Sequence, residues 1–322
     1  MLFFVLLILS PTIVHSFDDC DGERKEKAKI RAMTDPCWEI YGIQGANLTS
    51  AETASVKWNE VEARRVYYHL PSPLEKDWAG ARITGESQEM CMRAYATGPG
   101  NMSVLVLGNS YSYRLVPTLL NVFGGRFSEF RLFARSSCMI LASPNCDEAY
   151  REAWQKIVKA QKPDITIVIE KRYEGWFGPI NGSIKEDVNF LDAQRNLKYI
   201  SSFSKHVVID YQFMRPDHLE DGIANIIDRR LCDRHSSFAD LKLRYEDALY
   251  KHRFEMARTD ALSAPNLIRN RVLPQLCKDY CYFFDRSSNH SYFGDNAQHK
   301  TREFAKLFAP GYKKIVDKLL GD

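Results

Sequence analysis

Residues 103–115 read SVLVLGNSYSYRL, and the fold turns on this stretch. Val104, Leu105, Val106 and Leu107 form an unbroken apolar run, the pattern of a strand buried on both faces of a parallel sheet. Gly108, Asn109 and Ser110 follow at once, and a helical pattern sets in near Tyr113. A serine at such a junction stands at the carboxyl edge of the sheet, where open α/β sheets hold their ligands. The helix behind it offers unpaired N–H groups and the positive end of its dipole to a developing oxyanion. Ser110 is therefore the candidate nucleophile, and the backbone N–H groups of Ser110 and Tyr111 are candidate oxyanion donors. The alternative for Ser110 is a turn residue that caps the helix.

Working outward, strand and helix signals alternate from Asn101 to the end. Strands are expected at 104–107, 127–133, 164–169, 207–211 and 281–284. Helices are expected at 115–122, 147–160, 188–203, 302–308 and 312–320, and 238–268 reads as largely helical with a charged, solvated face. This order predicts an α/β fold, a three-layer αβα sandwich around a mainly parallel sheet. Residues 17–100 lack the alternation. They carry scattered aromatics, Trp38, Trp58, Tyr67, Tyr68 and Trp78, and read as an N-terminal extension that packs against something else. Thr97-Gly98-Pro99-Gly100 is a turn-rich boundary, so the domain is expected over 101–322.

The chain has 322 residues, 45% of them hydrophobic, enough for one large domain with an extension. Its net charge of +3 comes from lysines and arginines interspersed with acids, which argues against a nucleic-acid partner. Residues 1–16 are almost wholly apolar up to His15-Ser16 and read as a signal peptide or a short apolar anchor. That predicts a secreted or otherwise extracytoplasmic protein, or one held at a membrane by this segment. Eight cysteines and sequons at Asn47, Asn101, Asn181 and Asn289 agree with export. Cys138 and Cys146 are the natural local pair. No C-x-x-C or H-x-x-x-H cluster is present, so neither a metal nor a cofactor is expected.

A serine nucleophile needs a base and an acid to orient it. Of the histidines, His290 and His299 follow the last expected strand, where a loop can reach across the sheet edge, and Asp295 lies just ahead of His299. GNSYSYRL resembles the first block of the SGNH (GDSL-type) hydrolases: apolar strand, Gly-[Asp/Asn]-Ser, helix. FFDRSSNHSYFGDNAQHKT resembles their last block, in which Asp precedes His by three and the His is often followed by Leu-Ser or Leu-Thr. More narrowly, both stretches are similar to the extracellular SGNH domain of nematode proteins related to membrane acyltransferase-3 enzymes.

The resemblance covers about residues 100–322 and implies a flavodoxin-like αβα fold with ester chemistry on acyl groups. It assigns Ser110 as nucleophile, His299 as general base and Asp295 as the acid that orients it; apart from the resemblance, Asp285 and His290 form a reserve pair. Asp295 precedes His299 by four positions, one more than the family spacing, and Asn296 falls at the usual distance. The second block normally offers a glycine N–H, and here the neighbourhood is Ala134 to Cys138, with Ser136 as the candidate donor. The third block normally offers an asparagine, and here Arg172 follows the strand, as an oxyanion stabiliser or as the partner of Glu170 or Glu174. Tyr111, Tyr113, Trp176 and Phe177 read as packing residues, with an acyl or sugar pocket as their alternative role.

The implied substrates are acylated or acceptor carbohydrates or lipids. In related two-part proteins a membrane acyltransferase domain hands acyl groups to the SGNH domain. These 322 residues hold no such domain, so hydrolysis, or transfer from a separate membrane partner, is the expectation. A binding protein that keeps the fold without a working triad is the alternative.

Overall fold

The structure, a computed structural model, describes residues 28–64, 83–87, 91–142, 146, 148–172, 174–211, 222–234, 237–294 and 299–321. The leader at 1–16 and Asp295 lie outside the described residues.

A seven-stranded sheet forms the centre. Its strands are β1 (Ile83–Ser87), β2 (Cys91–Thr97), β3 (Met102–Gly108), β4 (Phe127–Arg135), β5 (Ile165–Ile169), β6 (His206–Asp210) and β8 (Leu267–Asn270). In space they lie in the order β1-β2-β4-β3-β5-β6-β8. From β4 through β3, β5 and β6 to β8 all pairings are parallel, while β1 and β2 add antiparallel at the β4 edge. Taken in chain order the parallel strands run 2-1-3-4-5, the flavodoxin-like arrangement, whose order reverses between β3 and β5.

The central strand shows why the sheet is sandwiched. Val104, Leu105, Val106 and Leu107 are all at most 2% exposed, and they alternate between faces. Val104 and Val106 join one core cluster with Leu115 and Leu119 of the Ser110–Phe123 helix and Tyr312 of the Ala309–Leu320 helix. Leu105 and Leu107 join another with Trp154 of the Glu148–Gln161 helix and Leu197 of the Val188–Phe203 helix. Apolar side chains on both sides of a parallel strand require helices on both sides, and that is the layer order found. Among the described residues no helix is long and apolar enough to cross a membrane.

Two expectations fail in instructive places. The segment read as largely helical, 238–268, contains the Tyr245–Lys251 and Arg253–Ala261 helices, but it is bracketed by β7 (Lys242–Arg244) and the start of β8. The fifth parallel strand is therefore β8, and the strand expected at 281–284 is β9 (Tyr280–Tyr282), paired only with β7 in a small separate sheet. β8 is a sheet edge whose first three residues are only half-buried, so LIRN carries little of the apolar signal of a central strand. The charged Arg253–Ala261 helix is also less solvated than its composition suggests, since Glu255, Arg258 and Thr259 are at most 1% exposed.

The sheet also begins inside the segment read as an extension, with β1 and β2 ahead of residue 101. Further upstream, the Pro36–Tyr41 helix is joined to the Ile223–Cys232 helix by the Cys37–Cys232 disulfide. Tyr41 OH donates to Asp228 Oδ2 (3.1 Å), and Asn59 Nδ2 donates to Asp228 Oδ1 (2.7 Å). Because that disulfide closes a loop of 195 residues, its loss should matter. The paired change Cys37→Ser and Cys232→Ser is expected to cost about 2–4 kcal/mol, read as a lower denaturant midpoint at unchanged slope. An unmoved midpoint would show that the extension adds nothing to the fold. Among the described residues the other disulfides are local: Cys138–Cys146, as expected, and Cys277–Cys281.

Candidate active site

The site is built where β3 and β5 part. Gly108 ends β3 opposite Ile169 of β5, and the strands are so close that a Cβ on residue 108 would lie 1.7 Å from the Ile169 carbonyl oxygen. Only glycine fits. Asn109 then ties the two strand ends together. Its Oδ1 accepts from Lys171 N (3.0 Å) and Tyr111 N (3.2 Å), and its Nδ2 donates to Lys171 O (3.0 Å). Asn109 is thus the helix cap, and the capping role weighed for Ser110 falls to its neighbour. Ser110 is the first residue of the Ser110–Phe123 helix.

The other half arrives from the far end of the chain. A short hairpin of two-residue strands pairs β10 (Phe293–Gly294) with β11 (His299–Lys300), with Gly294 opposite His299. Behind it Thr301 caps the Arg302–Lys306 helix and donates from Oγ1 to Ser291 O (2.7 Å), which anchors the hairpin. His299 is thereby aimed at Ser110: Nε2 lies 2.8 Å from Ser110 Oγ. With Nε2 unprotonated, the serine hydroxyl donates to it. Both residues are nearly enclosed, Ser110 at 8% and His299 at 5% exposure. The Tyr111 ring leans on the imidazole, with centroids 5.5 Å apart.

The reserve pair is engaged elsewhere. His290 stacks on Trp58 at 4.1 Å. Burial works to raise the Asp285 carboxyl, but the hydroxyl of Ser287 and the N–H groups of Ser287 and Ser288 outweigh it and hold the group below the usual range.

The oxyanion candidates divide. Tyr111 N is already bonded to the Asn109 cap, and Ser136 sits in the turn that follows β4. Arg172 is 1% exposed and built into the interior. One Nη donates to Glu255 and Thr259, the other to Asp210 O (3.1 Å), and Nε faces Glu170 at 3.9 Å. The salt-bridge role is present, with Glu255 as the closer partner. Glu170, next to Ile169 at the strand end, accepts from Ile140 N at 2.7 Å and so pins the loop after β4. Burial pushes its carboxyl up, against the pull of Arg172. Asn196 holds the same loop from the other side, donating to Ile140 O (3.0 Å) and Leu141 O (2.8 Å). Tyr111, Tyr113 and Trp176 are all at most 4% exposed, which is packing.

Asn196 passed unnoticed in the sequence because it lies inside an ordinary helix. Glu170 carried a signal: a carboxylate directly after a buried strand needs a partner.

Residues 76–314 match the family described as "SGNH domain (fused to AT3 domains)". The chain belongs to that family. The match begins upstream of β1, so the SGNH domain takes in strands that lie before residue 101. No curated protein sequence matches the chain. Among solved structures, the chain aligns with an acetylxylan esterase from Geobacillus stearothermophilus, at 14% identity over 70% of this chain and 96% of that one, with a TM-score of 0.32. A mutant enzyme described as an acetyl-xylooligosaccharide esterase from Geobacillus aligns at 13% over 69% and 95%, TM-score 0.32. An epoxide hydrolase from Aspergillus niger aligns at 11% over 62% and 51%, TM-score 0.25. Likeness at this level carries no argument about substrate.

Proposed function

We propose that this SGNH domain is an extracytoplasmic O-acyl esterase or acyl-transfer enzyme that works through an acyl-Ser110 intermediate on an acylated carbohydrate or lipid. The observation that supports this most is the 2.8 Å approach of His299 Nε2 to Ser110 Oγ at the sheet's carboxyl edge. In the proposed cycle Oγ attacks the acyl carbonyl carbon while its proton passes to Nε2. His299 returns that proton to the departing alcohol oxygen, leaving the acyl group on Oγ. Water, deprotonated by the same imidazole, then releases a carboxylic acid. A sugar hydroxyl in place of water gives a new ester. Asp295 is proposed as the carboxylate that orients the imidazole through Nδ1, with the Ser110 N–H facing the oxyanion. The family's fusion to AT3 domains supports a membrane acyltransferase as donor in the transfer case.

Covalent labelling tests the reading. A fluorophosphonate is expected to modify folded wild-type protein at Ser110 and to leave Ser110→Ala unmodified. Folded protein with no serine-dependent labelling would reject the enzyme in favour of a binding protein on the same fold.

Export is a separate expectation, supported by the leader and the disulfides. Asn47, Asn101 and Asn181 are exposed and open to glycans, whereas Asn289 is half-buried and its carbonyl accepts from Ser55 and Asn59. Expressed in a secretory host, the protein should reach the medium with glycans on the exposed sites, seen as a mass loss on glycosidase treatment. Retention in the cytosol with free thiols would overturn this.

A further inference from the structure

The cycle above leaves one buried charge on the active-site hairpin unused. Lys300 follows the proposed base directly, yet it is 2% exposed. Lysine is almost never buried that far without a partner, and a leucine would fill the same space without the cost of desolvating a cation. The surroundings of Lys300 show what it touches. Its Nζ lies 5.0 Å from the ring centre of Tyr111 and 4.7 Å from that of Phe308. Tyr111 is the residue after the nucleophile. Its ring is the one that leans on His299, and Lys171 Nζ stands 5.7 Å from its centre. The countercharge comes from Asp210, buried at the end of β6, whose Oδ1 accepts from Asn270 Nδ2 (2.9 Å) and whose Oδ2 accepts from the Tyr312 hydroxyl. One buried ring therefore bridges a cation and the imidazole, and the cation is balanced by a carboxylate fixed from β8 and from the C-terminal helix.

We propose that Lys300 is a positioning residue: its ammonium, countered by Asp210, holds the Tyr111 ring against His299 and so keeps the first turn of the nucleophile helix aligned with the base. This rests on the esterase reading and deepens it. Attraction of an ammonium to an aromatic face requires the charged form. Burial pulls Lys300 down to about 7, with Asp210 opposing. Burial likewise pushes Asp210 up to about 6, against the Tyr312 hydroxyl, Lys300, Asn270 and Arg172. Among the described residues, the groups bearing on the pair are thus Asp210 of β6, Arg172 after β5, Asn270 of β8, Tyr312 of the C-terminal helix, Tyr111 with Lys171 beside it, and His299. Above neutral pH Lys300 sheds its proton, and the hold on Tyr111 goes with it.

The test is the rate constant of fluorophosphonate labelling between about pH 5.5 and 9, on the full chain, in wild type, Lys300→Met and Lys300→Arg. Wild type is expected to slow above about pH 7 as the ammonium is lost. Lys300→Met should label about tenfold more slowly at neutral pH, still at Ser110, and should lose that alkaline fall. Lys300→Arg keeps a charge that does not titrate in this range, so it should stay fast on the alkaline side. A residue that merely fills space would not move the pH profile. If Lys300→Met fails to fold, Lys300→Arg decides alone. An alkaline fall of wild-type size in Lys300→Arg, or in a folded Lys300→Met, overturns the proposal. No labelling of wild type, or equal labelling of Ser110→Ala, instead overturns the esterase reading and the positioning role with it.

Discussion

Ser110→Ala is expected to lower hydrolysis of an activated aryl acetate by roughly 10⁴-fold or more, while the folded protein is unchanged by circular dichroism and melting. The size follows from what the hydroxyl does. Without Oγ no acyl-enzyme forms, and water must attack directly with whatever oxyanion donors remain. His299→Asn should lose about 10²–10⁴-fold, the usual worth of a general base. The two changes should not add, because the base acts through the nucleophile. A double variant no slower than Ser110→Ala alone would mark the pair as one unit. Ser110→Ala with wild-type turnover would place the chemistry elsewhere. The side chain removed is small and its site is a helix start capped by Asn109, so loss of activity is not expected to come from loss of fold.

Gly108→Ala is expected to have the largest effect on stability, at least about 4 kcal/mol, and to appear first as loss of soluble protein. A methyl group at this position would stand 1.7 Å from the Ile169 carbonyl oxygen and 2.8 Å from its carbon, both backbone atoms of the adjoining strand. No rotamer relieves such a clash. β3 and β5 must separate, and the Asn109 bonds to Lys171 break with them. Gly42→Ala is the control. Gly42 has φ of 70° but nothing within 4 Å of an added Cβ. Its replacement should cost only about 1 kcal/mol, from the left-handed backbone alone. Equal midpoints for the two variants would mean that the strands are not in this contact.

What could be read in advance follows the strength of local signals. Val104 to Leu107 announce the central strand because every face of it is buried, and the junction at Gly108 to Ser110 announces a site because strand and helix must meet there. β8 was hidden because an edge strand with half-buried side chains needs no apolar run. The solvated face expected for 238–268 does not extend to Glu255 and Arg258, because pattern alone cannot tell a charge that faces water from one that faces a buried partner. In the structure they hold Arg172 and Asp187. For the base, position after the last expected strand narrows the histidines to His290 and His299, and the family resemblance selects His299, since nothing local connects it to Ser110, 189 positions away. Lys300 was invisible for the opposite reason: within GDNAQHKT it looks like one more polar surface residue.

The connections between distant parts of the chain also decide when the proposed site can form. During synthesis Ser110 leaves the ribosome 189 residues ahead of its partner His299. Asn59, whose Oδ1 accepts from Ser291 N (2.8 Å) just ahead of the His299 hairpin, waits through 232 residues for that contact. Cys37 likewise waits for Cys232. Such non-local closure is slow and comes late in folding. A chain folded only through the Ser110–Phe123 helix therefore carries Ser110 without its histidine, and docking of the His299 hairpin is the step that completes the proposed site.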